Sequence, residues 1–303
     1  MTENKKNNRL ERLIKSLTIT ETQKFFLQEK VTNFYYELRD ISQRQTLYWS
    51  TLYLSKDTHQ YILDRFWFRG SFDRGLFIKN RYDIDLYFVY RRNSTYPNEK
   101  TNLKRYLLFE LLYSNLKVYQ HYYREKMKLL KEPPYSYVIP IRMDYEGISI
   151  LFNCIPAIEL NNGYIIIPKG LEETKKINMK LEEKVISELN KKQNGQIIKL
   201  IILIKYWNFN WGNPLRGYLI EHLVEFIFDK IEVQRWDLAI KTFFKQAVYI
   251  LDKEIFLHIR TNKQYSLLDE YSNNELNNFL EILHEAEINA QKGEWEKLFS
   301  DII

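Results

Sequence analysis

Asp83 and Asp85 stand one residue apart in the apolar run DIDLYFVY (83–90), and a Gly-Ser pair, Gly70 and Ser71, precedes them by a short loop. On a strand, alternate side chains share a face. Both carboxylates would therefore project together, about 6.5 to 7 Å apart, while Ile84 and Leu86 supply the buried face. Like charges that close repel, and a strand end keeps them when a cation sits between them; oxygen-only ligands suit Mg²⁺. A glycine lets backbone N–H groups approach a phosphate, and a neighbouring serine adds a hydroxyl donor. Asp-x-Asp alone is common in loops and caps. A Gly-Ser turn after one strand with Asp-x-Asp opening the next is far more specific.

The surrounding pattern predicts a mixed α/β unit. Thr20 and Gln23 form a capping box ahead of a helix whose apolar residues Leu27, Val31, Phe34, Leu38 and Ile41 keep the helical period. RFWFRG (65–70), DIDLYFVY and GISILFNCIPAI (147–158) read as strands, and residues 100–132 read as a helix ending before Pro133 and Pro134. After GYIIIPKG (163–170) the texture becomes helical: residues 172–193, 195–210, 214–230 and 237–253 read as helices, with 196–207 apolar almost all round and hence central. The expected division is 1–170 and 171–303, with the first eight residues loose.

With 303 residues and 45% hydrophobic content the chain can build a real core. Only nine glycines, and no Walker-type match, argue against a Gly-rich phosphate loop. A single cysteine, Cys154, excludes an internal disulfide and a cysteine zinc cluster and points to the cytoplasm. No signal-peptide h-region opens the chain, and IIKLIILIKYW is too short and too charged to span a bilayer. The net charge of +6 favours polyanionic ligands without demonstrating them.

The Gly70-Ser71 turn and the Asp83-x-Asp85 strand resemble the signature of the DNA polymerase beta-type nucleotidyltransferase superfamily. FNCIPAI (152–158), NNGYIIIPKG (161–170), LIKYWN (203–208) and RGYLIEHLV (216–224) resemble, in order and spacing, its CD-NTase branch, the cyclic-oligonucleotide synthases related to cyclic GMP-AMP synthase and oligoadenylate synthase. The resemblance runs from about Leu38 to Asp229. It implies an α+β, bilobal fold: a small mixed sheet with flanking helices, a helical C-terminal lobe, and an active site in the cleft between them. It implies Mg²⁺, or Mn²⁺, on Asp83 and Asp85, Gly70 and Ser71 at a triphosphate, Lys205 on phosphate oxygens and Tyr218 stacked on a base. From the residues alone, Lys205 could equally snorkel from a buried helix and Tyr218 could be a core tyrosine. ATP- or GTP-class NTPs would be substrates for a second messenger of the kind used in antiviral defence. A nucleic-acid or protein activator would fit, and no membrane partner is expected.

The sequence departs from the family at Asn153, which stands where an Asp-x-x-Pro-Ala pattern places a third catalytic carboxylate. Asparagine keeps the shape of aspartate and loses the charge, so a second metal should bind more weakly and the attacking hydroxyl should lose its base. Glu159 and Asp144 lie too far along the strand to substitute. Three readings stay open: an impaired or repurposed enzyme, an enzyme with a weakened second metal site, or an Asp→Asn change introduced to hold a substrate complex. Gly217, where the family often has serine, leaves RNA 3′-end (CCA-type) addition as an alternative, and Asn153 leaves a non-catalytic nucleotide or RNA sensor as another.

Overall fold

A computed structural model describes residues 3–51, 61–79, 83–92, 105–130, 138–159, 164–169, 173–255, 257–259 and 262–300. The chain divides into two compact units. One combines Met1–Ile19, Gly75–Lys79 and Leu181–Ile303; the other combines Thr20–Arg74 and Asn80–Lys180. The division differs from the expected 1–170 and 171–303 at both ends. Helix α1 (Glu3–Leu17) repeats apolar residues at the helical period, and Leu10, Leu13, Ile14 and Leu17 are buried in the core of the first unit. A bridge between Thr18 and Ile78, with Lys79 N–H donating to the Leu17 carbonyl at 2.8 Å, ties 75–79 to the same unit. The expectation of eight loose leading residues is corrected from Glu3 onward.

The second unit is built on a mixed sheet. Helix α2 (Glu21–Thr51) starts at the predicted capping box: Gln23 N–H donates to Thr20 Oγ1 at 3.2 Å, and Thr20 N–H donates to Gln23 Oε1 at 3.0 Å. Then come β1 (Tyr61–Arg69), α3 (Gly70–Asp73), β2 (Asp83–Arg92), α4 (Arg105–Tyr122), β3 (Met127–Leu129), β4 (Ile139–Tyr145), β5 (Ile148–Glu159), β6 (Tyr164–Lys169) and β7 (Glu173–Asn178). The strand order is β1-β2-β5-β4-β3, with β6 bridging β5 to β7. Among the described residues β2 and β5 run parallel and the other pairs of this sheet are antiparallel. Pro156 falls between the residues of β5 that pair with β4 and those that pair with β6, where its missing N–H breaks no ladder on that edge.

Alternation divides the two faces. Ile84, Leu86 and Phe88 of β2, with Ile150, Phe152 and Cys154 of β5, are buried; on this face Phe34 of α2 meets Phe88, Tyr119 and Phe152 at ring-centroid distances of 6.0, 5.0 and 5.8 Å. On the other face Tyr87, Val89, Ile155 and Ala157 form a smaller apolar cluster. Asp85 and Asn153 lie on that face in the strand alternation, two residues before Tyr87 and Ile155.

The first unit is helical. It holds α1, most of α5 (Met179–Lys192), α6 (Gln196–Asn210), α7 (Gly217–Phe228), α8 (Trp236–Asp252), a short hairpin of β8 (His258–Ile259) and β9 (Asn262–Ser266), α9 (Asn273–Lys292) and α10 (Trp295–Leu298). Helix α6 is its centre, with Leu200 through Ile204 all buried, as the all-round apolar sequence requires. Among the described residues no helix is long and apolar enough to cross a membrane.

Two predicted helices begin or end differently. The segment expected to be helical over 100–132 stops at Tyr122, and Met127–Leu129 pairs with β4 because Met127 is buried on the sheet opposite Met143. The helix expected over 172–193 begins at Met179, since residues 173–178 pair with β6 as a hairpin. The predicted stop at Pro133 and Pro134 lies outside the described residues.

Phe34→Ala removes the ring that fills the space between α2, α4 and the sheet. Urea unfolding should show a loss of about 3–5 kcal/mol; a loss under about 1 kcal/mol would mean that the face can collapse without it.

Candidate active site

The turn from β1 into α3 places Gly70 at φ +68°, a conformation that L side chains adopt at a cost. A Cβ at this position would lie 2.1 Å from Asp85 Oδ2 and 3.1 Å from Asp85 Cγ. The glycine is thus required twice, by its backbone angle and by the carboxylate pressed against it. Arg69, just ahead, pairs with Asp85 in the β1–β2 ladder, so the two-strand register aims Asp85 at the turn. Ser71 follows within α3, half-buried. Asp83 opens β2 with its backbone opposite Leu151; its side chain lies outside those described.

The parallel ladder sets Asp85 opposite Asn153, and Asn153 Nδ2 donates to Asp85 Oδ1 at 2.9 Å. An ionised carboxylate only accepts, which fixes the amide orientation. The strand expected to carry the third carboxylate is therefore beside the acidic strand, with an amide at the matching position. An aspartate there would bring two carboxylate oxygens about 3 Å apart, a repulsion of roughly 5 kcal/mol at an effective dielectric of 20. Such a pair needs a cation or a shared proton. Asn153 replaces that requirement with a charge-assisted hydrogen bond, which stabilises by about 1.5–3 kcal/mol.

Among the described residues no other acid takes its place. Glu159 forms an ion pair with Arg65, and Asp144 is exposed and paired with Ser149 near the opposite end of β5. Among the described residues no group of three or more His, Cys, Asp or Glu gathers. The oxygen donors present suit a hard cation; Asp85 Oδ1 carries the Asn153 amide, and Oδ2 lies against Gly70, where a Cβ would stand 2.1 Å from it. This donor set, a carboxylate with a neighbouring amide, fits one cation better than a pair bridged by three carboxylates.

Lys205 and Tyr218 lie in the helical unit, on α6 and α7. Lys205 does not snorkel to water. Its Nζ donates to Glu221 Oε1 at 2.7 Å, with side chains 13% and 1% exposed. Tyr218 packs partly buried against the helical core, and its ring lies 4.1 Å from that of His222, tilted by 59°; His222 Nδ1 bonds the Tyr218 carbonyl at 2.9 Å. Asn208, at the end of α6, donates to the Leu215 carbonyl at 2.8 Å and accepts from Leu215 N–H at 2.9 Å, which pins the entry into α7. The sequence reading missed Glu221 and Asn208. Glu221 carried a signal, an acid inside the apolar stretch LIEHLV that needs a cation from another apolar helix; Asn208 resembles any helix-end asparagine.

No family model matches the chain. A probable cyclic nucleotide synthase of Bacillus cereus strain VD146 is 25% identical over 182 residues, 51% of this chain and 53% of that protein; the chain thus spans about half the length of this curated relative. CdnC of Escherichia coli MS115-1, solved with ATP, superposes with a TM-score of 0.66 at 14% identity over 98% of both chains. The DncV cyclic AMP-GMP synthase of Vibrio cholerae, described as a prokaryotic cGAS homologue, gives 0.67 at 13% identity over 96% of this chain and 90% of that one. This is the fold of the bacterial cyclic-nucleotide synthases. The expected α+β nucleotidyltransferase architecture, with its helical C-terminal part, is borne out at that level.

Gly70→Ala and Gly147→Ala separate the two demands on Gly70. Gly147 also has a positive φ, +82°, but nothing lies within 4 Å of an added Cβ. Both variants bear the backbone strain, so Gly70→Ala should be less stable than Gly147→Ala by a further 1–3 kcal/mol or so in chemical denaturation. Equal losses would mean that Asp85 yields freely.

Proposed function

We propose that this chain is a nucleotidyltransferase of the cyclic-oligonucleotide type that binds NTPs at the Gly70–Asp85 turn and joins them slowly, because Asn153 stands in place of a third carboxylate. The observation that carries the reading is the contact of Asp85 with both Gly70 and Asn153 across adjacent strands, in a fold that matches CdnC and DncV over nearly the whole chain. The matched relative, a probable cyclic nucleotide synthase, supports the same class of product.

In this reading Asp83 and Asp85 would hold Mg²⁺ or Mn²⁺. The ion would supply charge neutralisation at the α-phosphate and the leaving pyrophosphate. Gly70 would let backbone N–H groups approach a triphosphate, with Ser71 adding its hydroxyl. In the helical unit Lys205 would contact phosphate oxygens and Tyr218 a base. The reaction joins a ribose hydroxyl of one nucleotide to the α-phosphate of another and releases pyrophosphate, giving a cyclic or linear oligonucleotide. Asn153 can orient Asp85 but cannot accept the hydroxyl proton as a carboxylate does. CdnC has been solved in complex with a HORMA partner, which supports looking for a protein activator here as well as a nucleic acid.

A second reading, a nucleotide sensor without turnover, is favoured by the Asn153–Asp85 hydrogen bond itself, which satisfies Asp85 without a third acid. Pyrophosphate release from the four NTPs with Mg²⁺ or Mn²⁺, measured on this chain and on Asn153→Asp, separates the readings. The proposal expects slow release from the native chain and at least a tenfold gain in the aspartate form, from products that form without added RNA. No release from either form, with or without activator, alongside measurable NTP binding would favour the sensor; release only with added RNA would favour 3′-end addition.

A further inference from the structure

The pair Lys205–Glu221 has an unusual position for a buried ion pair. Gly217 is the first residue of α7, and a Cβ added there would meet Lys205 Cε at 3.4 Å and Nζ at 3.5 Å. The lysine ammonium therefore lies against the N-terminal turn of α7, an end that carries partial positive charge and exposes backbone N–H groups. The preceding residue, Arg216, gives no side-chain cap, and its guanidinium lies over the Tyr271 ring, 4.5 Å from the centroid. Only 13% of the Lys205 side chain is exposed. Glu221 sits one turn further along α7, 1% exposed, with Oε1 2.7 Å from Nζ.

We propose that Glu221 is a positioning residue for Lys205: it holds the ammonium beside Gly217, at the first turn of α7, for a phosphate oxygen of the bound nucleotide. The inference rests on the reading of Lys205 as a triphosphate contact. The carboxylate supplies a counter-charge in the helical core, and it holds the end of a long, flexible side chain in one place. Gly217 puts no side chain against the ammonium, where a Cβ would come within 3.5 Å of it. An arriving phosphate would complete a chain of carboxylate, ammonium and phosphate, each joined to the next by a charge-assisted hydrogen bond.

The alternative sign is also physical. Glu221 could instead compete with phosphate for the ammonium, in which case removing its charge would tighten nucleotide binding. The geometry decides against it, because without the carboxylate the amine loses the 2.7 Å hydrogen bond that fixes its place, and a long side chain left unanchored must be ordered again by the anion.

The test is calorimetric titration of ATP against AMP, and GTP against GMP, with Mg²⁺, on the full chain. Four proteins are compared: native, Glu221→Gln, Lys205→Met and the double variant, in which two neutral side chains of similar shape replace the pair and keep the core packed. A general folding defect scales the affinities of ATP and AMP together, since both bind the same competent fraction. Positioning of Lys205 affects the triphosphate alone. The expected result is that Glu221→Gln weakens ATP at least tenfold relative to AMP, and that it has no further effect in the Lys205→Met background. Tighter ATP binding by Glu221→Gln, an equal loss for ATP and AMP, or an undiminished effect in the Lys205→Met background would overturn the proposal. A double variant that keeps the native ATP-to-AMP ratio would reject Lys205 as a triphosphate contact, and the positioning role with it. Absence of heat with ATP and GTP in the native chain would reject the nucleotide reading itself.

Discussion

The parallel ladder between β2 and β5 sets the arrangement of the sheet unit. Because its register places Asp85 opposite Asn153, Ile84, Leu86 and Phe88 face the same helices as Phe152 and Cys154, while the polar pair falls on the other face. A shift of one residue would bury the carboxylate under α2 and expose the phenylalanines, so the core and the candidate site are specified by one alignment. The antiparallel partner β1 then brings the turn at Gly70 against the carboxylate. Cys154, adjacent to Asn153, is fully buried on the core side, and burial pushes its thiol well above the usual range, so it is a packing residue rather than a nucleophile.

Charge is handled differently in the two units, and the difference bears on function. In the sheet unit an amide donor satisfies Asp85, which removes the repulsion that a third carboxylate would create and with it the demand for a bridging cation. In the helical unit a full ion pair is retained at a buried site, where apolar residues of similar volume would be as stable or more so. A costly buried pair beside a helix N-terminus has a rationale when one of its members meets an anion. The first case keeps the shape of a carboxylate and loses its charge; the second keeps a buried charge beside the start of α7.

Much of the sheet unit was legible because its signals are local. The Thr20–Gln23 cap, the period of α2, and the alternation in DIDLYFVY and GISILFNCIPAI each depend on neighbouring residues. The Gly-Ser and Asp-x-Asp spacing pointed to a turn at Gly70 ahead of β2, though not to the close approach of Gly70 to Asp85, which depends on strand register. Three features were hidden for physical reasons. Helix α1 looked like a polar tail because its lysines and asparagines outnumber the four leucine and isoleucine positions that anchor it in a distant part of the chain. β7 carries lysines in a helix-like context and is a strand only because β6 pairs with it. The Lys205–Glu221 pair joins residues on separate helices, and no local pattern couples them.

The account turns on the claim that the Asn153 amide supplies what a divalent cation would supply to an aspartate. Unfolding of the native chain and of Asn153→Asp, each in EDTA and in excess Mg²⁺ without nucleotide, measures it directly. The account predicts that the aspartate form is less stable than native by at least about 2 kcal/mol in EDTA, and that Mg²⁺ restores more of its stability than it adds to the native chain. Equal stability of the two forms in EDTA, with equal gains from Mg²⁺, would contradict it.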